Sequence, residues 1–499
     1  MPEEHTVTDA WRRERWIVTA IAIALTLARS TIFVAWPLSY FDSDQAVFGL
    51  MAKHIAELRA FPVFMYGQTY MLAVEAWVVA PLFALFGASA VMLKLPLVLM
   101  NAAITWLLLR TFERETGLRP LAAAAASLPF ILPAAAMGAV YVEASGGTLE
   151  PYLYVLLIWI LRDRPIAAGL VFGIGFMNRE FTLYGLAALL VIDALTRQLF
   201  TKTGLQMRAS MLGVSAIVWI AVQGLFRFSS GGGPGTSIDQ IYGASNNVLE
   251  LVGRTCFSPA TAVTGISGLF SLHWPALLGT APYPLSRFAI ESSVQQGLAG
   301  TSWLPAAFVA ICIAGVAPRA IKARFQFPCF PLYLILIGLF SAAGYVLGRC
   351  GQVNFTGMRY ELLSILGIVG LAGWFLASRP PRALLAAWGL VLAAWLAVLA
   401  VPHVRLAREY AVAPPIPAKV QLIDALESRG IRYGSSDYWI AYYVSFLTNE
   451  RIILASEDFQ RLLTYRRIVE EHAGEAVRIS RRPCPGGVAL IRGVYQCPR

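Results

Sequence analysis

Long runs of apolar residues, separated by short polar clusters, dominate the chain from Trp16 to about residue 401. Runs near 20 residues are long enough for a helix to cross the hydrocarbon core of a bilayer. Basic clusters between such runs mark the cytoplasmic side of membrane proteins. Placing these clusters on one side predicts a cytoplasmic N-terminus and about eleven spans, at residues 16–38, 90–109, 121–141, 152–161, 166–177, 181–195, 209–227, 299–317, 327–347, 361–377 and 383–401.

Two long loops are expected on the outer side. In the first, residues 42–89, the apolar positions Val47, Leu50 and Met51 share one helical face, which predicts an interfacial amphipathic helix. The apolar segment 71–87 contains Glu75 and Pro81, so we expect an interfacial or re-entrant helix there rather than a span. The second loop, residues 228–298, begins with a glycine-rich stretch that cannot be helical.

The residues after 401 have a different pattern, in which helix-like and strand-like segments alternate. Helices are predicted at 418–428, 438–447 and 459–472, and strands at 431–435, 451–454, 477–479 and 488–491. The chain therefore divides into a membrane domain, residues 1–401, and a small outer α/β domain, residues 402–499. An oxidising compartment would allow Cys484 to pair with Cys497, with Cys256 and Cys350 as a second possible pair.

Composition agrees with an all-α polytopic membrane protein. The 499 residues are 57% hydrophobic and 14% charged, whereas soluble domains are about 25% charged. The net charge of +11 lies in clusters between spans. Because no soluble segment joins a basic patch to stacking aromatic residues, nucleic acid is excluded as a partner. Abundant alanine and arginine favour a bacterial inner membrane, with the C-terminal domain in the periplasm. The endoplasmic reticulum is the alternative.

Acidic residues gather in the first two outer loops. Asp42 and Asp44 follow the first span, and Glu143 and Glu150 lie in the second loop. An aspartate can cap a helix, and Asp44 stands where a cap for the following helix is expected. Capping does not account for the second aspartate. Carboxylates from two loops at one membrane face are also typical of a site for general acid–base chemistry.

Three arginines, Arg179, Arg349 and Arg359, are expected near helix ends at the same outer face. Arginines at such positions often extend toward the interface for solubility alone. The predicted helices that flank Arg179 are too short to bring it fully to the interface, however. Because a guanidinium binds phosphate through two parallel hydrogen bonds, these residues are candidates for holding a lipid-linked phosphate.

These motifs resemble those of the GT-C superfamily of polytopic glycosyltransferases, in particular the protein O-mannosyltransferase and aminoarabinose lipid A transferase branch. Asp44 to Phe48 resembles the acidic motif and aromatic residue of the first outer loop, with Gln45 in place of the usual Glu. The other matching segments are Tyr66-Gly67-Gln68-Thr69-Tyr70, Leu85-Phe86-Gly87, Leu149-Glu150-Pro151, Met177-Asn178-Arg179 and Arg359-Tyr360. Ala73 stands near the position of a phosphate-binding Lys in the lipid A transferases, which counts against that particular activity.

The resemblance implies an inverting glycosyltransferase on the outer face of the membrane. It would move a hexosyl or pentosyl group from a polyprenyl-phosphate donor to a hydroxyl or amine of a glycan, lipid or protein acceptor. The implied catalytic residues are Asp44, Asp42 and Glu150, and the implied phosphate ligands are Arg179, Arg359 and Arg349. Substrate contacts are expected from Glu143, Tyr66, Gln68, Tyr70, Asn178 and Tyr360. The sequence does not settle whether a cofactor is needed, and Asp42 and Asp44 permit a divalent cation, Mg or Mn.

A second class of function remains open from the sequence. A flippase or transporter of lipid-linked sugars, or an O-antigen polymerase or ligase, would also be polytopic and have large outer loops. Transporters usually show internal repeats and charged groups near the bilayer midplane. The sequence shows no such repeat, and its acidic residues are predicted at one surface.

Overall fold

The computed structural model describes residues 2–236, 258–322 and 327–498, and in this part of the chain helices predominate. Six of the described helices are long and apolar enough to cross a membrane: Trp11–Ala35, Ala90–Thr116, Lys202–Phe226, Trp303–Ile321, Cys329–Gly348 and Arg382–Val412. Shorter apolar helices coincide with the other predicted spans. A mostly helical fold with a small sheet is therefore confirmed, whereas the count of about eleven spans stays a prediction.

Both helices predicted in the first outer loop are present. The first part of the chain forms α1 (Pro2–Ala35), a 3-10 turn (Pro37–Tyr40), α2 (Ser43–Ala56), α3 (Val74–Phe86) and α4 (Ala90–Thr116). Asp42 is the N-cap of α2 and accepts a 3.0 Å hydrogen bond from the Gln45 amide. Ser89 caps α4 in the same way. These caps satisfy backbone N–H groups that a helix start leaves unpaired.

The next apolar region folds into helices whose length is less than the thickness of a bilayer. They are α5 (Pro120–Ile131), α6 (Ala135–Val140), α7 (Glu150–Ile160), α8 (Pro165–Asn178) and α9 (Thr182–Leu195), followed by the long α10 (Lys202–Phe226). The prediction of one continuous helix at 121–141 is wrong. Helix α5 ends before Pro133, which lacks an amide hydrogen and cannot continue the helical hydrogen bonding.

Part of the second long outer loop, residues 237–257, lies outside the described residues. After it come α11 (Pro259–Gly268), a π-helical segment (Leu269–His273), α12 (Trp274–Leu277) and the antiparallel pair β1 (Tyr283–Pro284) and β2 (Gln295–Gln296). The membrane region ends with α13 (Trp303–Lys322), α14 (Cys329–Gly348), α15 (Ser364–Ala377) and α16 (Arg382–Val412). Helix α16 continues past residue 401 as far as Val412, and Leu406 and Tyr410 in this part of the helix are buried.

The helical core is closely packed around glycine and aromatic residues. Gly338 of α14 lies against Gly367 of α15, and a Cβ at Gly338 would come within 2.6 Å of the Gly367 Cα. Small residues at this crossing let the two backbones approach, as they do at many membrane helix interfaces. Nearby, the Trp159 ring lies 4.8 Å from that of Tyr333 and 5.8 Å from that of Phe330.

Ion pairs join the helix ends that were predicted to face the cytoplasm. Arg15 of α1 lies 2.8 Å from Glu113 of α4, and Arg119 lies 2.7 Å from Glu14. Arg208 and Asp193 form a further pair at 2.5 Å, with both side chains about 95% buried. These contacts bring the start of α1 to the end of α4, so the two helices are antiparallel. We call this end of the bundle the basic end.

The C-terminal region contains helices and a small sheet, and its limits as a separate domain stay a prediction. It contains α17 (Ala418–Ser428), β3 (Tyr433–Ser436), α18 (Tyr438–Leu447), β4 (Ile453–Ser456), α19 (Leu463–Glu471), β5 (Val477–Ser480), β6 (Val488–Ile491) and β7 (Val494–Cys497). The sheet order is β4-β3-β5-β7-β6, parallel among the first three strands and antiparallel beyond. The predicted Cys484–Cys497 disulfide is present. Cys350 is also disulfide-bonded, and Cys256 lies outside the described residues.

Helix α18 docks this domain onto α2. Phe446 stacks on Phe41 and lies against Gly49, where a Cβ would approach the Phe446 ring to 2.5 Å. Beyond α18, Glu450 accepts hydrogen bonds from Lys53 at 2.5 Å and His54 at 3.1 Å. Although burial acts in the opposite direction, these two groups hold the pKa of Glu450 far below its ordinary value. The contacts fix the C-terminal domain against the helix that carries the first acidic motif.

Candidate active site

Asp44 lies between a tyrosine of the C-terminal domain and an arginine of a late loop. Its Oδ1 accepts a hydrogen bond from the Tyr438 hydroxyl, and its Oδ2 is 4.0 Å from the Arg359 guanidinium. The Asp44 side chain is 21% exposed and that of Arg359 is 38% exposed. The carboxylate is therefore accessible from solvent and has a positive charge beside it. This is the arrangement that a general base with a nearby anion-binding group requires.

The capping role falls on Asp42 rather than on Asp44, where the sequence placed it. Asp42 accepts from the backbone at the start of α2, which leaves the Asp44 side chain to face the cleft. Burial, followed by the negative charges of Asp44 and Glu143, raises the pKa of Asp42 to about 7. Asp42 and Asp44 thus occupy different environments although one residue separates them.

The second outer loop reaches the same place through Glu143. This carboxylate accepts a 2.5 Å hydrogen bond from Tyr40 and a 3.0 Å hydrogen bond from Ser145. Next to it, the Ala144 amide donates to the Gln45 side chain of α2 at 3.4 Å. Gln45 therefore joins the two acidic loops to each other.

Glu150 is paired with a carboxyl group that the sequence analysis did not select, that of Glu75. The two carboxyl groups are close neighbours, and Glu75 accepts a hydrogen bond from the Gly146 amide at 2.7 Å. Burial, followed by the negative charge of Glu150, raises the pKa of Glu75 well above its ordinary value. Both residues are more than 90% buried. The sequence signal was present, since Glu75 is an acidic residue in an apolar segment.

The three predicted phosphate ligands lie near one another. Arg349 stacks on the Tyr360 ring, and Arg359 donates to the Tyr360 hydroxyl at 3.2 Å. Burial lowers the pKa of Arg349, and the positive charges of Arg359 and Arg179 lower it further. Gly147 allows Arg179 to enter the site, because a Cβ there would collide with the arginine side chain. The Nε groups of Arg179 and Arg359 have no hydrogen-bond acceptor.

The predicted substrate contacts separate into two groups. Tyr360 lies in the arginine cluster, and Asn178 lies beside Arg179, where its amide donates to the Leu72 carbonyl at 3.3 Å. The Tyr66 hydroxyl instead lies 3.0 Å from His54, in the polar contact between α2 and the C-terminal domain. Gln68 and Tyr70 lie at the same interface. The Gln68 amide oxygen, oriented toward Tyr70 and Arg461, accepts hydrogen bonds from both side chains.

Two further residues of the site were missed from the sequence. Tyr438 and Arg461 belong to the C-terminal domain, and a contact between Tyr438 and Asp44 spans 394 positions of the chain. The Arg461 guanidinium lies 6.0 Å from the Tyr438 ring centroid and 4.3 Å from that of Phe459. The sequence placed Tyr438 on a helix, which is correct, but helical spacing does not reveal what its hydroxyl contacts.

The residues around Asp44 do not suit a divalent cation. The Arg359 guanidinium lies beside the carboxylate, and Asp42 is engaged by the backbone of α2. Hard cations such as Mg²⁺ take several oxygen ligands. Within the described ranges, no group of three or more His, Cys, Asp or Glu side chains is arranged to hold a metal ion.

An apolar cavity of about 940 Å³ lies among the later helices of the membrane region. Its walls come from the α11–α12 region and from α13, α14 and α15, and include Leu269, Trp274, Ile313, Leu339 and Trp374. His273, which precedes the wall residue Trp274, lies 2.5 Å from Glu361, and Glu361 follows Tyr360 in the chain. The cavity wall is thereby connected to the loop that carries Arg359.

Searches by sequence give no relative, since neither a protein-family model nor a curated protein matches the chain. Solved structures do match. The oligosaccharyltransferase of Archaeoglobus fulgidus, crystallised with zinc and sulfate, has a TM-score of 0.51 at 13% identity over 93% of this chain and 67% of its own. The same organism's AglB, in complex with an inhibitory peptide and a dolichol-phosphate, has a TM-score of 0.49 at 11% identity, covering 93% of this chain and 69% of that chain.

ArnT from Cupriavidus metallidurans, bound to undecaprenyl phosphate, has a TM-score of 0.41 at 13% identity over 96% of this chain and 97% of that chain. These neighbours are GT-C membrane glycosyltransferases. The likeness to the first oligosaccharyltransferase structure shows the fold. The fold that the sequence motifs implied is thereby confirmed at an identity too low for sequence comparison alone.

Proposed function

We propose that this protein is an inverting glycosyltransferase that uses a polyprenyl-phosphate sugar on the outer face of a bacterial inner membrane. The observation that carries the proposal is the placement of Asp44 beside Arg359, which has Arg349 as an electrostatic neighbour, as does Arg179. The fold shared with the oligosaccharyltransferase supports the same class of reaction.

Asp44 acts as the general base in this proposal. An acceptor hydroxyl or amine donates its hydrogen to the carboxylate while its heteroatom attacks the anomeric carbon of the sugar. The bond from that carbon to the phosphate oxygen breaks, and the lipid phosphate leaves with the electron pair. Attack opposite the leaving group inverts the anomeric centre. A base held within hydrogen-bond reach typically contributes about 10²–10⁴-fold to such a step.

The arginine cluster stabilises the phosphate that leaves. Arg359 and Arg179 each retain an Nε–H without an acceptor, and a phosphate oxygen supplies one. Charge fixed in place before the reaction stabilises a developing anion more effectively than water can. The apolar cavity among the later helices is suited to the polyprenyl chain.

The remaining acids arrange the site rather than perform proton transfer. Glu143 and Asp42 surround the Asp44 side of the cleft, while the Glu75–Glu150 pair lies near Arg179. Glu150 places a carboxyl group close to the Arg179 guanidinium, with which it interacts electrostatically. Asp42 and Glu150 therefore position the acceptor and the arginine cluster in this scheme.

Mass spectrometry of lipid extracts tests the proposal. One polyprenyl-phosphate sugar is expected to accumulate in a strain that lacks the gene and in an Asp44→Asn strain, because its consumption is blocked. An Asp424→Asn strain, altered at an exposed aspartate of the C-terminal domain, should resemble wild type. Unchanged lipids in the first two strains would refute the donor assignment and favour a transporter or ligase.

A further inference from the structure

Tyr438 occupies the position from which an acceptor would hydrogen-bond to the general base. Its phenol donates a hydrogen bond to Asp44 Oδ1, while Oδ2 faces Arg359. An acceptor alcohol must make the same contact, an O–H directed at a carboxylate oxygen, before it can lose its proton. With Tyr438 in this position, Oδ1 of Asp44 is engaged by the phenol, and Oδ2 lies 4.0 Å from the Arg359 guanidinium.

The Tyr438 hydroxyl is not needed to hold the C-terminal domain in place. Docking of α18 depends on Phe446, which lies two helical turns farther along, and on Glu450 beyond the helix. The Tyr438 ring itself is held by the rings of Trp439, Tyr442 and Phe459, at centroid distances of 5.1, 5.2 and 5.9 Å. The phenol–Asp44 contact is thus one of several contacts between the C-terminal domain and α2.

The phenol also remains a donor under ordinary conditions. Burial and the negative charge of Asp44 raise the pKa of Tyr438 well above its usual value, so the hydroxyl keeps its proton at neutral pH. The groups facing it are Asp44 from α2 and Arg461 from the loop before α19. A protonated phenol on an ionised carboxylate makes a charge-assisted hydrogen bond, which is stronger than a neutral one.

Resting on the proposed function, we infer that Tyr438 is a cap on the general base, which an acceptor displaces. The cap protects the donor from water. In the reaction that it suppresses, a water oxygen attacks the anomeric carbon and the carbon–oxygen bond to phosphate breaks. The water proton passes to Asp44, and free sugar and polyprenyl phosphate are released. An acceptor that binds in the cleft replaces the phenol and makes Asp44 available for transfer alone.

Donor hydrolysis in the absence of acceptor tests the cap. The substrate is the polyprenyl-phosphate sugar purified from Asp44→Asn cells, and the readout is free sugar released by the full-length protein in detergent. Tyr438→Phe is expected to hydrolyse donor roughly tenfold faster than wild type, since a hydrogen bond to a charged group is lost. Tyr443→Phe is the matched control, because Tyr443 is a buried tyrosine of the same helix. Its rate should equal that of wild type.

Two outcomes would overturn the cap: equal hydrolysis by Tyr438→Phe and wild type, or slower hydrolysis by the variant while its thermal unfolding is unchanged. A second measurement needs no donor. Carbodiimide with glycine methyl ester labels accessible carboxylates, and Asp44 should be labelled faster in Tyr438→Phe than in wild type or Tyr443→Phe. If no polyprenyl-phosphate sugar accumulates in the Asp44→Asn strain, the proposed function fails, and the labelling still decides the cap. Equal labelling of Asp44 in all three proteins would contradict it.

Discussion

Charged side chains are paired differently at the two ends of the helical bundle. At the basic end, Arg208 is paired with Asp193 at 2.5 Å and Arg15 with Glu113 at 2.8 Å. At the other end, Asp44 and Arg359 are 4.0 Å apart, and the Nε of Arg359 has no acceptor. Buried polar groups are ordinarily satisfied by partners within the protein. The close and buried pairing of Arg208 with Asp193 therefore indicates a structural role, whereas the Arg359 Nε lacks an acceptor that a ligand could supply.

The largest expected effect concerns the basic end and is an effect on stability. Arg208→Gln leaves Asp193 buried without its partner, which should lower the free energy of unfolding by about 3–5 kcal/mol. Chemical unfolding in mixed detergent micelles measures this loss. The protein that remains folded should consume donor at the wild-type rate. A large loss of activity per folded molecule, with stability intact, would show that the basic end takes part in the chemistry.

Arg359→Gln should give the reverse result. Removing a guanidinium that stabilises the leaving phosphate is expected to slow transfer by about 10²-fold or more, with little change in unfolding. Arg467→Gln, at an exposed position of α19, is the matched control and should behave as wild type. If Arg359→Gln mainly destabilises the protein and retains its turnover, the contrast between the two ends is lost.

A smaller effect, on the pH dependence of stability, is expected from Asp42 at the end of the bundle opposite the basic end. The pKa of Asp42 is raised to about 7 by burial and by Asp44, so the folded protein holds this proton over a range where the unfolded chain has released it. Its contribution therefore lowers stability as pH rises from about 4 to about 7, and the loss is complete above that range.

Asp42→Asn should remove this loss while keeping the cap, since asparagine also caps helices. We expect the unfolding temperature of the variant to exceed that of wild type by a few degrees at pH 8, and the gap to close toward pH 4. Asp424→Asn serves as the control, with no pH-dependent difference. An equal shift in unfolding temperature at both pH values would show that the effect of Asp42 does not come from its titration.

Much of the architecture could be predicted from the sequence because it depends on local patterns. Helices at 418–428 and 438–447 have the predicted bounds, and both helices of the first outer loop form where apolar periodicity placed them. The break at Pro133 was missed because the surrounding residues are apolar enough for one span. The final strand, Val494–Cys497, was missed because its pairing with the two neighbouring strands is not a local property.

The site was predictable only as far as single loops determine it. Asp44, Glu143, Glu150 and the three arginines were identified from residue type and expected side of the membrane. Their partners Tyr438 and Glu75 were not, because those contacts depend on how distant segments pack. Domain limits, orientation in the membrane and the identity of donor and acceptor remain predictions.

The most direct test of the central claim is sugar transfer by purified protein that differs only at Asp44. The donor is the polyprenyl-phosphate sugar that accumulates in the Asp44→Asn strain, isotopically labelled, and the acceptor is a cell-envelope extract from the strain that lacks the gene. Wild type and Asp424→Asn should incorporate label into that extract. Asp44→Asn should be slower by about 10²–10⁴-fold at an unchanged unfolding temperature. Incorporation by Asp44→Asn at the wild-type rate would contradict the account and remove Asp44 from the mechanism.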